Sequence, residues 1–310
     1  MSPDSASPRV VSLLPSATEI VAALGVDPVA TSHECDYPPS VAETPSVVES
    51  RVDADATSAE IDEQVQQSES VGGVYRIDRE ALAAADPDLV VSQGMCDVCA
   101  VDTVLVEESI EALGLECELV TTDPHSLDDI FGDIEAIGDA LARPERASDL
   151  VADLRGRVDR VATAAAESPI RPEVAVLDWL DPPMVAGHWV PELVELAGGD
   201  YGLADPGDAS TPREWADIRE YDPDILVAAP CGFELEQTSE NLSDLTARDG
   251  WSSLRAVRMN RAYAMDGHHL TNRPGPRVVE TLETLASLIQ PEQFDGPEPW
   301  MARSLSDLPE

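Results

Sequence analysis

The sequence predicts an α/β protein of two Rossmann-like lobes joined by a single long helix, with a ligand cleft between the lobes. Three observations carry this expectation. Apolar runs of strand length alternate with helical patterns along the chain. The stretch 144–167 has the amphipathic, charge-paired pattern of one long helix. DPDLVVSQGMC at 86–96 is echoed by DPDILVAAPCG at 222–232, and such repetition suits two lobes of similar construction better than one large sheet. In open α/β sheets, ligands bind at the loops that leave the carboxyl ends of the strands. The expected boundaries are an N-terminal lobe over 1–143, a connecting helix over 144–168, a C-terminal lobe over 169–290, and a loose, acidic, proline-rich tail over 291–310.

The run 10–14 is apolar and long enough for a strand, and PSATEIVAALG follows it at once. Ser16 with Glu19 reads as a capping box, Ile20, Val21 and Leu24 supply the apolar stripe, and Gly25 ends the helix. Residues 28–31 form a short second strand that feeds the loop SHECDYPP. Thr57 with Glu60 marks another helix start. The run 86–92 is the most strand-like of this half, and 101–113 suits a helix, 115–121 a strand and 126–141 a helix. Along 144–167, Leu150, Leu154, Val158 and Val161 fall at helical spacing. Pro169 and Pro172 bracket the way into a strand at 174–178. Further strands are expected at 225–229 and 262–266, with helices near 190–197, 212–220 and 276–289.

The 310 residues suffice for two domains, and 43% hydrophobic content excludes a disordered acidic chain. Acidic side chains number 61 against 19 basic ones, for a net charge of −42 spread along the whole length. Such a surface repels nucleic acid and anionic membrane, so neither is an expected partner. Adaptation to concentrated salt, where screening makes the self-repulsion tolerable, is the simplest account of it. No segment is long and apolar enough to span a bilayer. The start MSPDSASPRV shows no secretory signal, which places the chain in the cytoplasm as written and outside it if the true start lies upstream. A monomer with no required cofactor is expected.

Cys35, Cys96, Cys99, Cys117 and Cys231 do not make a disulfide scaffold. Cys117 reads as a small hydrophobe in a strand. Cys96 and Cys99 have the spacing of a redox dithiol or half a zinc site, and metal binding, redox chemistry, a local disulfide and an apolar turn all stay open. His33 lies beside Asp36 and Tyr37 in a strand-exit loop, and His188 lies between Gly187 and Trp189; both are candidate binding residues. Trp179 and Trp189 serve equally well as core, and Trp215 and Trp251 as packing between helices. Phe233 follows a glycine turn, His268 and His269 follow a strand, and Arg273 and Arg277 stand at the start of a helix opened by Pro276. Arginines are scarce, so this pair suits anionic or amide groups on a ligand, or simply balances the acidic surface. The sequence holds no GxGxxG or P-loop motif, no GxSxG elbow and no HExxH. Loops rich in Trp, His, Tyr and Phe fit ligand capture better than turnover.

Five segments in order, RVVSLLPSATEIVAALG, SHECDYPP, MVAGHWVPELVELAGG, PCGFELE and NRPGPRVVETLETLA, resemble the cobalamin-binding proteins of vitamin B12 ABC importers. More broadly they are similar to the periplasmic-binding fold shared with iron-siderophore receptors. The likeness covers residues 9–289. It implies two α/β lobes joined by a rigid helix, with a corrin ring held by aromatic and polar loops. Carried onto this chain, it places His33, Asp36, Tyr37 and Gln93 on one wall and His188, Trp189, Phe233, His268 and Arg273 on the other. His188 or His33 would be the cobalt ligand, and acidic residues of each lobe would meet an ABC permease. Two features depart from the exported members: no signal or lipid anchor is visible, and the loop CDVC has no counterpart.

The expectation is a non-enzymatic protein that binds a corrinoid, cobalamin first, as the substrate-binding component of an ABC uptake system or as a cytoplasmic carrier. The alternatives are a redox or metal-dependent enzyme built on Cys96 and Cys99 that acts on a corrinoid, and an intracellular sensor of corrinoid, haem or siderophore.

Overall fold

The computed structural model describes residues 7–69, 73–94, 101 and 103–308. The chain divides into two compact units. The first is built from Met1–Asp53, Glu63–Pro124 and Asp128–Ala152, the second from Ala54–Asp62, His125–Leu127 and Asp153–Glu310. Both are α/β, as expected.

In the first unit six strands form one sheet: β1 (Val10–Ser12), β2 (Ala30–Ser32), β3 (Ser46–Ser50), β4 (Tyr75–Ile77), β5 (Leu89–Gln93) and β6 (Glu118–Thr122). Their order is β4-β3-β2-β1-β5-β6, and every pair is parallel except β3 with β4. Strands β1 and β5 are buried at every position, which is why they read as unbroken apolar runs: both faces of a parallel strand are covered. The helices of this half of the chain are α1 (Pro15–Ala23), α2 (Ser58–Glu69), α3 (Arg79–Ala85), α4 (Thr103–Leu113), α5 (Leu127–Ala140) and α6 (Pro144–Ala165).

The capping box expected from Ser16 and Glu19 does not form. Leu14 takes the cap position, Pro15 opens α1, and Ser16 and Glu19 are buried inside the helix. Proline lacks an N–H and has a fixed φ, so it suits the first helical position and starts the helix before the serine. The Thr57–Glu60 box does form: Thr57 N donates to Glu60 Oε2 at 3.1 Å, and Glu60 N donates to Thr57 Oγ1 at 3.4 Å. Helix α6 leads from the first unit into the second. Its buried stripe is Ala147, Val151, Leu154, Val161 and Ala165, with Leu150 and Val158 half-buried at the margin. In the first unit Arg146 Nε donates to Ala23 O at 2.9 Å. In the second, Arg157 grips Glu283 with two bonds, Nε to Oε1 at 3.0 Å and Nη2 to Oε2 at 2.7 Å.

The second unit also has six strands: β7 (Val174–Leu180), β8 (Pro183–Val185), β9 (Thr211–Pro212), β10 (Ile225–Ala228), β11 (Ala262–Met265) and β12 (Ala302–Ser304). The order is β12-β11-β10-β7-β8-β9. Strands β7, β10 and β11 run parallel at the centre, and β8, β9 and β12 pair antiparallel outside them. Helices α7 (Val190–Leu196), α8 (Trp215–Tyr221), α9 (Leu235–Glu240), α10 (Ser243–Thr246), α11 (Arg255–Arg258) and α12 (Val278–Ile289) complete the unit. Trp215 and Trp251 stack with ring centroids 6.2 Å apart. Within the stretch expected to be loose, the segment Ala302–Ser304 instead closes the sheet: Tyr263, Ala264 and Met265 of β11 pair with Ser304, Arg303 and Ala302, and Asp266 N donates to Met301 O at 2.8 Å. A short strand that satisfies the backbone of an open edge needs no apolar run of its own. Among the described residues no helix is long and apolar enough to cross a membrane.

The internal echo recurs in backbone detail. Asp86 and Asp222 end α3 and α8 in the left-handed region, at φ 44° and 45°. Two residues on, Asp88 Oδ2 accepts from Arg9 N at 2.8 Å and Asp224 Oδ2 accepts from Glu173 N at 3.0 Å. Each DPD segment thus turns a short helix into a buried strand and ties down the residue that precedes the neighbouring parallel strand. Asp222 has one more duty, since its Oδ1 accepts from Arg255 N at 2.7 Å. A left-handed φ disfavours any residue with a β-carbon. Asp86→Gly is therefore expected to raise the unfolding free energy by about 0.5 kcal/mol, whereas Asp222→Gly, which also loses the Arg255 bond, lowers it. Urea denaturation midpoints of the two variants check the contrast.

Candidate functional site

In each unit the parallel strands end at one edge of the sheet, and the loops leaving that edge carry most of the residues expected to bind; His188 and Trp189 instead follow β8, which returns antiparallel along β7. In the first unit the loop after β2 begins with His33. Its Nε2 meets Glu34 Oε1 at 3.0 Å, its Nδ1 lies 3.4 Å from Ser32 Oγ, and its ring sits 5.7 Å from that of Tyr75. Both nitrogens are thus engaged, so a metal at His33 would have to displace the Glu34 contact. Cys35 is buried, with its Sγ 3.1 Å from Thr18 Oγ1, which itself lies 2.8 Å from Ser12 Oγ. This seats the loop on α1. Asp36 is half-buried and Tyr37 is exposed. Gln93, the last residue of β5, is buried, and its carbonyl accepts from Thr103 Oγ1 at 3.1 Å. Leu13, Ser32, Glu34, Tyr75 and Val101 line a small recess at this edge. Cys96 and Cys99 lie outside the described residues.

In the second unit the loop after β8 holds His188 at φ +53°, a left-handed conformation uncommon for residues other than glycine. It is held on both sides by the backbone: His188 N donates to Asp208 O at 2.5 Å, and Gly207 N donates to His188 O at 2.9 Å. Gly187 has to be glycine, because a β-carbon there would lie 2.2 Å from Asp208 O. Trp189 follows, 5% exposed, with its ring 5.8 Å from His188. His125, from the short segment of the chain that joins this unit, brings its ring to 5.5 Å from His188. That segment is fixed by Leu127 N, which donates to Glu192 Oε2 of α7 at 2.9 Å. Sequence reading passed over His125, although DPHS directly after a strand marks it as a loop histidine of the same kind as His33.

The exits of β10 and β11 are stapled together. Gly267 N and His268 N both donate to Phe233 O, at 2.9 and 3.1 Å, and a β-carbon on Gly267 would strike Pro230 O at 2.0 Å. Phe233 is 2% exposed and meets Trp179 edge-on at 5.2 Å. Cys231 Sγ donates to Asn272 Oδ1 at 2.9 Å. The exit of β11 is a single π-helical turn, Gly267–Thr271, a form that recurs at functional sites. Buried Asp266 accepts from His269 N at 2.6 Å and faces His269 Nδ1 at 3.1 Å. Arg273, also buried, donates from Nε to His268 O at 2.8 Å and from Nη2 to His268 Nε2 at 2.9 Å. A guanidinium only donates, so His268 Nε2 is the acceptor nitrogen and Nδ1 carries the proton. Arg273 is therefore a brace for His268. The structure thus brings Phe233, His268 and Arg273 together and sets His188 with Trp189 and His125. The indole N–H groups of Trp179 and Trp189 are buried and find no acceptor among the described residues.

Comparison with known proteins gives a consistent picture. The family model described as "Periplasmic binding protein" matches residues 10–268. A vitamin B12-binding protein of Vibrio cholerae is 26% identical over 287 residues, covering 91% of this chain and 89% of its own. A Bacillus subtilis ABC transporter substrate-binding lipoprotein is 25% identical over 293 residues, covering 92% and 81%. Among solved structures, a periplasmic heme-binding protein from Pseudomonas aeruginosa superposes with a TM-score of 0.72 at 21% identity, covering 95% of this chain and 96% of its own. The periplasmic vitamin B12-binding protein of Vibrio cholerae does so with 0.67 at 23%, covering 92% and 98%.

Asp178, beside Trp179, holds this region together. Its Oδ2 accepts from the Ser210 hydroxyl, whose oxygen accepts from Gly187 N at 3.0 Å. Its Oδ1 is buried with no partner among the described residues. Burial pushes the carboxyl up from 3.8 to about 6, against the opposing pull of the Ser210 hydrogen bond. Folded protein therefore keeps a proton that the unfolded chain releases, and stability falls as pH rises from 3.8 to about 6. Asp178→Asn keeps the acceptor for Ser210 and removes the charge. It is expected to gain on the order of 1–2 kcal/mol over the native protein at neutral pH, a gain that shrinks toward pH 5. Urea unfolding of both proteins at the two pH values measures it.

Proposed function

The chain belongs to the periplasmic binding protein family, and on that premise we propose that it is the substrate-binding subunit of an ABC uptake system whose ligand is a corrinoid, cobalamin first. The observation that carries the ligand is kinship over nine-tenths of the chain with a vitamin B12-binding protein; the haem-binding structures support a shared fold. A member of a family of binding proteins is a non-enzymatic binder, and its work is to hold a small molecule rather than to change it.

A corrin is a broad ring with apolar faces and a rim of amides. The proposed contacts are His33, Asp36, Tyr37 and Gln93 from the first unit and His188, Trp189, Phe233, His268 and Arg273 from the second. Phe233 and Trp189, being nearly fully buried, would set the loops from behind and offer little open face. The buried indole N–H groups of Trp179 and Trp189 suit acceptor atoms, because a donor left unmet costs about 1–3 kcal/mol. His188 or His33 would supply an axial nitrogen to cobalt. An ABC permease is the proposed protein partner. The location proposed is extracytoplasmic, as for the lipoprotein and periplasmic relatives. The charge of −42 suits a working medium of concentrated salt.

Cyanocobalamin titrated into purified protein and followed through the corrin absorbance is expected to saturate with a Kd in the micromolar range or tighter. Saturation by hemin alone in the same assay would move the ligand to a porphyrin, and saturation by neither would remove the proposal.

A further inference from the structure

Beside the loops that leave β10 and β11, the second unit opens a pocket of about 530 Å³ whose lining includes Glu234, Leu235, Glu236, Glu240, His269 and Trp300. One wall is flat and apolar. Trp300 is 40% exposed, large for an indole, and its ring stands edge-on to His269 at 6.1 Å. The rest of the wall is acceptor-rich. Glu234, Glu236 and Glu240 are all exposed, and none of their carboxylates makes an ion pair or hydrogen bond among the described residues. Glu234 takes the cap position of α9 without a side-chain capping bond. Asp266 adds a fourth carboxylate, already held by His269, and among the described lining residues Arg303 is the one guanidinium, its Nε committed to Pro299 O at 2.7 Å.

Acidic side chains are common on this chain, and an acidic patch alone would mean little. Here the carboxylates stand around a concavity with an open aromatic face, and two of its lining residues, Glu234 and His269, directly follow Phe233 and His268. An ionised carboxylate accepts hydrogen bonds and donates none. A group entering the pocket therefore meets acceptors and negative charge within a few ångströms, inside the roughly 8 Å over which physiological salt screens. We infer that this pocket selects the ligand by the chemistry of its side arms: it takes N–H donors, amide or ammonium, and turns away carboxylates. The inference rests on the proposed flat-ring ligand and sharpens it, since the arms of a corrin are amides and those of haem are carboxylates.

Two probes that share one ring isolate the effect: dicyanocobinamide, with amide arms, and dicyanocobyrinic acid, with carboxylates in their place. Both are titrated at one ionic strength and followed by corrin absorbance. The amide form is expected to bind at least about tenfold tighter. In the triple variant Glu234→Gln, Glu236→Gln, Glu240→Gln, which alters only exposed side chains, that ratio is expected to fall to about twofold, mainly because the acid binds better. Trp300→Ala is expected to weaken both probes several-fold. Equal affinities in the native protein, a ratio the triple variant leaves in place, or a Trp300→Ala variant that binds both as before would overturn the inference and leave corrinoid binding standing. Failure of both probes and of cyanocobalamin to bind would overturn the parent reading, and the inference with it.

Discussion

Burial of the parallel strands on both faces is the constraint from which the other features follow. Strands β1 and β5 in the first unit and β7 and β10 in the second have almost no exposed position, so they cannot carry working polar groups along their length. Those groups collect at the carboxyl edge, where the chain leaves the sheet. In the first unit, connections run outward from β1 to β2 and β3 and then back across to β5. This reversal opens a crevice between the ends of β1 and β5. The two DPD segments serve the same constraint, each delivering a central strand from an αL turn and fixing the start of its neighbour.

At the edge of the second unit, backbone hydrogen bonds rather than side-chain packing set the loop positions. Phe233 O gathers two N–H groups from the β11 exit, and Asp208 and Gly207 hold His188 on both sides. Gly187 and Gly267 permit approaches that any β-carbon would block. A loop held this way loses little further freedom when a ligand arrives, so less of the contact energy is offset by ordering. The strained φ of His188 fits the same scheme, since an unfavourable conformation persists only where its surroundings over-determine it.

What the sequence made legible follows from how each element is stabilised. Strands β1, β5, β7, β10 and β11 announce themselves because burial on two faces demands unbroken apolar runs, and α6 because its stripe repeats over six turns. Strands β3, β4, β8, β9 and β12 went unseen: they lie toward the sheet margins, and what stabilises them is a neighbour's backbone that no local pattern reports. Ser16 misled as a cap because the proline before it already starts the helix. At the candidate site, the exit-loop residues were read from their place after strands. Their burial was not, because Phe233 and Trp189 look the same in sequence whether they face solvent or the core. His125 was missed because its partner, His188, lies 63 residues away.

The distribution of the cations completes the electrostatic logic. All 19 basic side chains are arginine; the chain has no lysine. Many of these guanidiniums tie backbone carbonyls. Arg9 donates to Ala85 O at 2.6 Å, Arg146 to Ala23 O at 2.9 Å, Arg213 to Leu203 O at 2.8 Å, Arg248 to Leu180 O at 3.0 Å and Arg273 to His268 O at 2.8 Å. A planar group with five donors can satisfy the carbonyls left open at helix and strand ends, which a lysine with one ammonium does less well. Others pair with carboxylates, as Arg157 does with Glu283 and Arg255 with Asp224, but 19 guanidiniums leave most of the 61 carboxylates to be neutralised by solvent ions rather than by side chains. The field over the exit loops is then negative by construction. An anionic ligand would find few guanidiniums to meet it there, whereas a neutral ring with hydrogen-bond donors on its rim meets carboxylates such as Glu234, Glu236 and Glu240.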